Sequence, residues 1–149
     1  DARLDALTEF GLDHGINYRE KNLTQEVMKL TSGRGVDVVI DPVGGEVLEQ
    51  SIASAGRRGR IVSVGTAGRD FSKASVSGLA PGNKSLTGVF LGAEMASARA
   101  YDMVADLIRR AGMGELRMPI DRQYALADAA QAHAYIESRQ AVGRVILVP

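Results

Sequence analysis

The stretch Val36-Asp37-Val38-Val39-Ile40-Asp41 constrains the fold more than any other part of this chain. It is short, almost unbroken in β-branched residues, and stopped by Pro42-Val43-Gly44-Gly45. A half-exposed strand alternates apolar and polar residues. A nearly continuous β-branched run instead fits a strand buried on both faces, as in a parallel sheet covered by helices. Two further runs have the same character. Arg60-Ile61-Val62-Ser63-Val64-Gly65 is predicted as a second strand, and Lys84 to Leu91 as a third, after a Gly/Ser/Pro-rich connection.

Helical patterns fill the intervals. Leu4, Leu7 and Phe10 share one helical face, and Gly11 stops that helix. A short strand is expected near Gly15-Ile16-Asn17-Tyr18. Thr24 reads as the cap of the next helix, with Val27, Met28 and Leu30 as its apolar positions and Ser32-Gly33 as its end. Glu46 to Ala55 is predicted helical, with Gly56 as terminator. Ser97 caps a long helix to about Ala111 that should turn Tyr101, Val104, Leu107 and Ile108 inward; Gly112 and Gly114 end it. Beyond the boundary stretch Gly112–Pro119 come an extended segment, a helix from Leu126 to about Ser138, and a strand from Arg144 to Val148. Strands joined by crossover helices imply a parallel sheet with helices on both faces.

Composition narrows the function. The 149 residues suffice for one ordinary domain. Formal net charge is zero, which removes any bulk electrostatic reason to bind nucleic acid or an anionic membrane. No apolar run approaches the roughly 20 residues of a membrane helix. With no cysteine, neither a disulfide framework nor a thiolate metal site is expected in this segment. His14 and His133 lie far apart in sequence, so no self-contained metal centre is expected. Asp1-Ala2-Arg3-Leu4 enters directly into a helical pattern without an initiator Met or a signal peptide, so the start reads as a cut.

Ligands of open α/β sheets bind beyond the carboxyl ends of the strands. Three such ends carry small residues: Asp41-Pro42-Val43-Gly44-Gly45, Val64-Gly65-Thr66-Ala67-Gly68 and Phe90-Leu91-Gly92. Glycine lets a flat ligand approach main-chain groups and accepts positive φ. Any α/β protein also needs glycine in its turns, so spacing leaves a ligand site and a plain turn equally open. There is no G-x-G-x-x-G, and Gly65-Thr66-Ala67-Gly68 does not open a helix whose amides could face a phosphate. No catalytic triad is visible. The scattered carboxylates read as solvated helix faces, His133 as a helix-surface or packing residue, and His14 as loop. Arg3 and Tyr18 flank the first helix and the short strand after it. In a dinucleotide fold the adenine-ribose end lies over that region, where a cation and a phenol could bind a 2′-phosphate. A solvated arginine and a half-buried tyrosine fit the composition equally well.

Five segments in order carry a resemblance: Ile16-Asn17-Tyr18-Arg19-Glu20, Gly35 through Gly45, Gly59 through Gly65, Tyr124 through Ala129 with Ala132-His133, and Gly143-Arg144-Val145-Ile146-Leu147. Together they resemble the medium-chain dehydrogenase/reductase superfamily, in particular its quinone-oxidoreductase and zeta-crystallin-like branch. The resemblance implies an α/β, Rossmann-like doubly wound parallel sheet, truncated at its amino end. Residues 1–115 would be part of the dinucleotide-binding domain. Residues 116–149 would be a return segment belonging to a GroES-like catalytic domain. The glycine-rich loop, the acidic residue that reads a ribose 2′-hydroxyl, and any zinc ligands would lie upstream.

The resemblance also places cofactor contacts. Arg3 takes the basic 2′-phosphate position, usually lysine, and Tyr18 the aromatic position beside the adenosine ribose. Gly44 and Gly45 match the loop under the adenosine half. Val64, Gly65, Thr66 and Ala67 match the segment beside the nicotinamide ribose, and Phe90, Leu91 and Gly92 the segment whose backbone holds the carboxamide. Gly143-Arg144 stands where the family has Gly-Lys. No catalytic residue is assigned. The implied protein is a cytoplasmic NADP(H)-preferring reductase of a quinone, enone or similar small carbonyl compound, without nucleic-acid or membrane partners. It is expected to dimerise through 84–91, an apolar sheet edge that needs cover. Two other readings are a fragment of a zinc-dependent alcohol dehydrogenase and a non-catalytic nucleotide-fold binding module. A methyltransferase-like parallel sheet would accommodate 36–45 but not the C-terminal segment.

Overall fold

The computed structural model describes residues 2–70 and 75–149. They fall into two compact units, one made of 13–95 and the other of 1–12 with 96–149.

The first unit is built on three strands: β1 (Val36–Asp41), β2 (Ala55–Ser63) and β3 (Ser85–Gly88), all parallel, in the order β1-β2-β3. Helix α3 (Gly45–Ser54) makes the crossover from β1 to β2, and a 3-10 segment (Ser77–Gly82) precedes β3. Val39, Ile61 and Leu86 stand in one register across the three strands. They pack against Leu48 and Ile52 of α3, with Ala55 and Leu79 completing the core. Ile52 and Ile61 are fully buried, and each such side chain contributes about 1.5–3 kcal/mol. Lys84 Nζ donates to the Ile52 carbonyl at 2.6 Å, bringing a cation to the last turn of α3, where the helix dipole favours it. The other face of the sheet is open within this unit: Val38 and Ile40 are exposed. Helix cover on both faces is therefore not seen inside this unit.

Several boundaries move. The second strand begins at Ala55, not Arg60, because Gly56 and Gly59 let the chain pack on the backbone of Arg34 and Val36. The register slips between Val36 and Val38 to accommodate 56–59. The third strand ends at Gly88, not Leu91. Val89 N–H makes a last bond to the Ser63 carbonyl, and Phe90 then starts a one-turn helix, α4 (Leu91–Glu94). Gly15 to Tyr18 forms no strand. Asn17 holds a turn instead: its side chain accepts from Arg19 N–H, and its carbonyl from the Glu20 and Lys21 amides. Helix α2 (Leu23–Leu30) is capped by Asn22, whose side chain accepts from Gln25 N–H. Thr24, expected as that cap, lies inside α2 and its hydroxyl donates to the Gln50 carbonyl of α3.

The second unit contains α1 (Ala2–Thr8), α5 (Ala98–Gly112), β4 (Ile120–Ala125), α6 (Ala129–Glu137) and β5 (Arg144–Val148). β4 and β5 are parallel, and α6 connects and packs on both. Tyr135 of α6 donates to Asp121 Oδ2 at 2.7 Å, and the Arg122 guanidinium lies 3.9 Å from the centre of its ring. Ser97 caps α5 as expected, its hydroxyl accepting from Ala100 N–H. The inward face expected for α5 is not found: Tyr101, Leu107 and Ile108 are exposed. Periodicity fixed which residues share a face; it could not fix what covers that face.

Candidate functional site

Because the three strands of the first unit are parallel, their carboxyl ends lie at one edge of the sheet. The turns 42–45, 64–70 and 89–92 follow them there. The first turn is set by Asp41. Its side chain is 2% exposed, and Oδ1 accepts from Val43 N–H at 2.7 Å and Gly44 N–H at 3.0 Å. Pro42 has no N–H, so these are the first amides the carboxylate can reach. Gly44 then adopts φ 77 and ψ −167, a conformation that suits glycine and little else, and opens α3. Among the described residues, Asp41 Oδ2 is buried without a hydrogen-bond partner.

The first two turns are fastened to each other. Val64, Ala67 and Gly68 donate their backbone N–H groups to the carbonyls of Asp41, Pro42 and Val43, at 2.9, 2.9 and 3.1 Å. A Cβ on Gly65 would stand 3.1 Å from the Pro42 carbonyl, and one on Gly68 equally near the Val43 carbonyl and side chain. These two glycines thus have a packing reason independent of any ligand. The same bonds explain why Gly65-Thr66-Ala67-Gly68 is no phosphate loop: two of its amides are already spent on the neighbouring turn. A Cβ on Gly45 would overlap the Asp70 carboxylate, so Asp70 lies over the start of α3.

The structure thus brings together Gly44, Gly45, Val64, Gly65, Thr66 and Ala67 as one continuous rim. Phe90, Leu91 and Gly92 follow β3, which pairs with β2. Val64, Phe90 and Leu91 are exposed apolar side chains, and Gly92 has room for no Cβ without crowding the Phe90 ring. Tyr18 is exposed on the Asn17 turn of the same unit. Arg3 is exposed on α1 in the other unit, and Gly143-Arg144 opens β5 there. Gly143 has φ 125, and a Cβ on it would stand 2.6 Å from the Pro119 carbonyl, which also accepts from Arg144 N–H. Close backbone approach is reason enough for that glycine.

Asp41, Arg69 and Asp70 were not singled out in the sequence. Asp41 had a readable signal: a carboxylate ending a strand, then Pro, then two donor amides. Arg69 and Asp70 had none, because their places depend on how the two turns are joined.

The rim offers exposed apolar side chains and small residues of the kind that suit a flat ligand, while Asp41 Oδ2 is buried beneath it. Among the described residues no group of three His, Cys, Asp or Glu side chains comes together to hold a metal. No described helix is long and apolar enough to cross a membrane.

A parallel α/β sheet with paired glycine turns at its carboxyl end defines the class as Rossmann-like. The chain belongs to the zinc-binding dehydrogenase family, whose model matches residues 10–147. Its relatives include a quinone oxidoreductase of Pseudomonas aeruginosa, 32% identical over 139 residues, which span 90% of this chain and 42% of that protein. A 2-haloacrylate reductase of Burkholderia sp is 27% identical over 161 residues, spanning 100% of this chain and 46% of that protein. The solved Escherichia coli quinone oxidoreductase complexed with NADPH matches with a TM-score of 0.83 and 27% identity, over 98% of this chain and 46% of that one. The chain therefore spans less than half the length of these relatives.

Proposed function

We propose that these residues form the cofactor-binding portion of an NADP(H)-preferring oxidoreductase that reduces a quinone, enone or similar small carbonyl compound. The observation that carries the reading is the joined pair of turns at the carboxyl ends of β1 and β2, in a chain whose family consists of dehydrogenases. The bound cofactor supplies the hydride; the protein supplies orientation and electrostatics. In this reading Gly44 and Gly45 lie under the adenosine half, and Val64 to Ala67 flank the nicotinamide ribose. Phe90, Leu91 and Gly92 lie along the nicotinamide carboxamide, with Gly143-Arg144 near the cofactor. Arg3 and Tyr18 take the 2′-phosphate and the adenosine ribose. In this reading few side chains need act chemically, and no catalytic residue is assigned in this segment.

The test is NADPH consumption by the full-length protein with a benzoquinone and with an enone, before and after chelation of divalent metal. Turnover that survives chelation supports a zinc-free reductase. Turnover only with alcohols, and only with metal, would replace this reading with a zinc-dependent alcohol dehydrogenase. Dinucleotide binding without turnover of any of these substrates would favour a binding module. Residues 1–149 alone are expected to bind NADPH weakly, because no helix start in this segment carries the glycine-rich phosphate loop.

A further inference from the structure

Among the described residues, Ser32, Arg58, Arg69, Asn83 and Arg139 hold positive φ without being glycine. Ser32, Asn83 and Arg139 lie just beyond helical segments, where a left-handed residue is an ordinary way to end a helix. Arg58 and Arg69 have no such excuse. Arg58 sits in the amino-terminal half of β2, away from the carboxyl-end turns of the candidate site. Arg69, at φ 55, sits in the rim itself, its N–H bonded to the Thr66 carbonyl at 2.9 Å. Glycine or asparagine would take this conformation at less cost. An outlier of this kind in a ligand rim justifies a search for what the side chain does.

The surroundings of Arg69 answer that question. It is the one cation in the described turns 42–45, 64–70 and 89–92. It is exposed, and its guanidinium has no ion-pair or hydrogen-bond partner among the described residues. Its neighbours fix its place. Gly68 before it is bonded to the Val43 carbonyl, and Asp70 after it lies against Gly45. Arg69 therefore stands at the seam where the second turn is fastened to the first.

We infer that Arg69 is a cofactor-binding residue whose guanidinium donates to the diphosphate of the dinucleotide. The inference rests on the proposed function, in which the first turn carries the adenosine half and the second the nicotinamide ribose. The group that links those two halves is the diphosphate, and the seam between the turns faces it. A planar guanidinium matches phosphate oxygens in pairs, and such charge-assisted bonds are the strong ones. Within the described turns 42–45, 64–70 and 89–92 Arg69 is the only positive charge, so it supplies one that the rim otherwise lacks.

The test compares wild-type full-length protein with Arg69→Asn and Arg69→Lys, by calorimetric binding of NADPH, NADH and ADP-ribose and by thermal melting. Asparagine keeps the left-handed backbone without the charge. The expected result is that Arg69→Asn weakens all three ligands alike, by roughly tenfold or more, while the melting temperature holds or rises. Arg69→Lys should recover part of the affinity. Three results would overturn the inference: unchanged affinity, a loss confined to NADPH, or a binding loss accompanied by a lower melting temperature. If wild type binds neither dinucleotide, the proposed function fails and the role of Arg69 falls with it.

Discussion

Gly44 N–H donates to Asp41 Oδ1 across 3.0 Å, and this bond fixes where β1 stops and α3 begins. With the Val43 bond beside it, a buried carboxylate sets the shape of the turn on which the proposed cofactor site rests. Asp41→Ala should destabilise the protein by about 1.5–3 kcal/mol, the usual range for hydrogen bonds to a charged group. Asp41→Asn keeps an acceptor oxygen and should lose less. Urea titration measures both, and amide exchange at Val43 and Gly44 should quicken in the alanine variant before the rest of β1 is affected. Equal stability of all three proteins would show that the turn holds its shape without the carboxylate.

The proposed role of Arg3 differs from that of Arg69 in one measurable respect. A 2′-phosphate is present only in NADPH, so Arg3→Ala in the full-length protein should weaken NADPH by about tenfold or more and leave NADH nearly unchanged. Fluorescence titration with each cofactor gives the comparison. Equal losses for both would remove Arg3 from the 2′-phosphate site.

The proposed homodimer would join two copies of β3, which forms one edge of the sheet. The N–H of Val89 donates inward to the Ser63 carbonyl. Amides alternate in direction along a strand, so the N–H of Gly88 faces the open side. A Cβ on Gly88 would meet nothing within 4 Å, so the position has room for a side chain. Gly88→Pro should yield a folded monomer in sedimentation, since proline removes the outward donor. A folded dimer of unchanged strength would put the interface elsewhere.

Tyr135 offers a pH prediction. Its hydrogen bond to Asp121, together with partial burial, raises the phenol above its ordinary value of 10.0, while the positive charge of Arg122 over the ring pulls the other way. The protonated phenol is the form the fold favours. Its contribution is therefore fully present below pH 10 and lost as pH rises through the higher folded-state value. Tyr135→Phe should lower the urea midpoint below pH 10, and the gap to wild type should close above it. A gap that is constant across this range would mean that the hydroxyl contributes nothing through its proton.

The strands of the first unit were legible because β-branched runs have few other uses. Val36–Asp41 is found at its expected bounds, and the parallel pairing follows from the helix that must cross over between β1 and β2. Caps were legible where a side chain had one geometric option, as at Ser97, and misread where two polar residues competed, as at Asn22 and Thr24. The strand expected at Gly15 to Tyr18 failed because a single asparagine can organise a turn with its own side chain and carbonyl, and hydrophobicity does not register that.

The sequence by itself determined the α/β class, the parallel order and the glycines that end the strands, since these depend on local propensity and on faces defined within one element. Only the tertiary structure decided that the turns after β1 and β2 are bonded to each other, that Asp41 is buried beneath the first of them, and that Arg69 stands at their seam with no side-chain partner among the described residues. Those facts depend on residues more than twenty positions apart meeting across a sheet. Their physical cause is register: pairing Asp41 with Ser63 brings the two turns within hydrogen-bond reach, and no pattern within either turn encodes it.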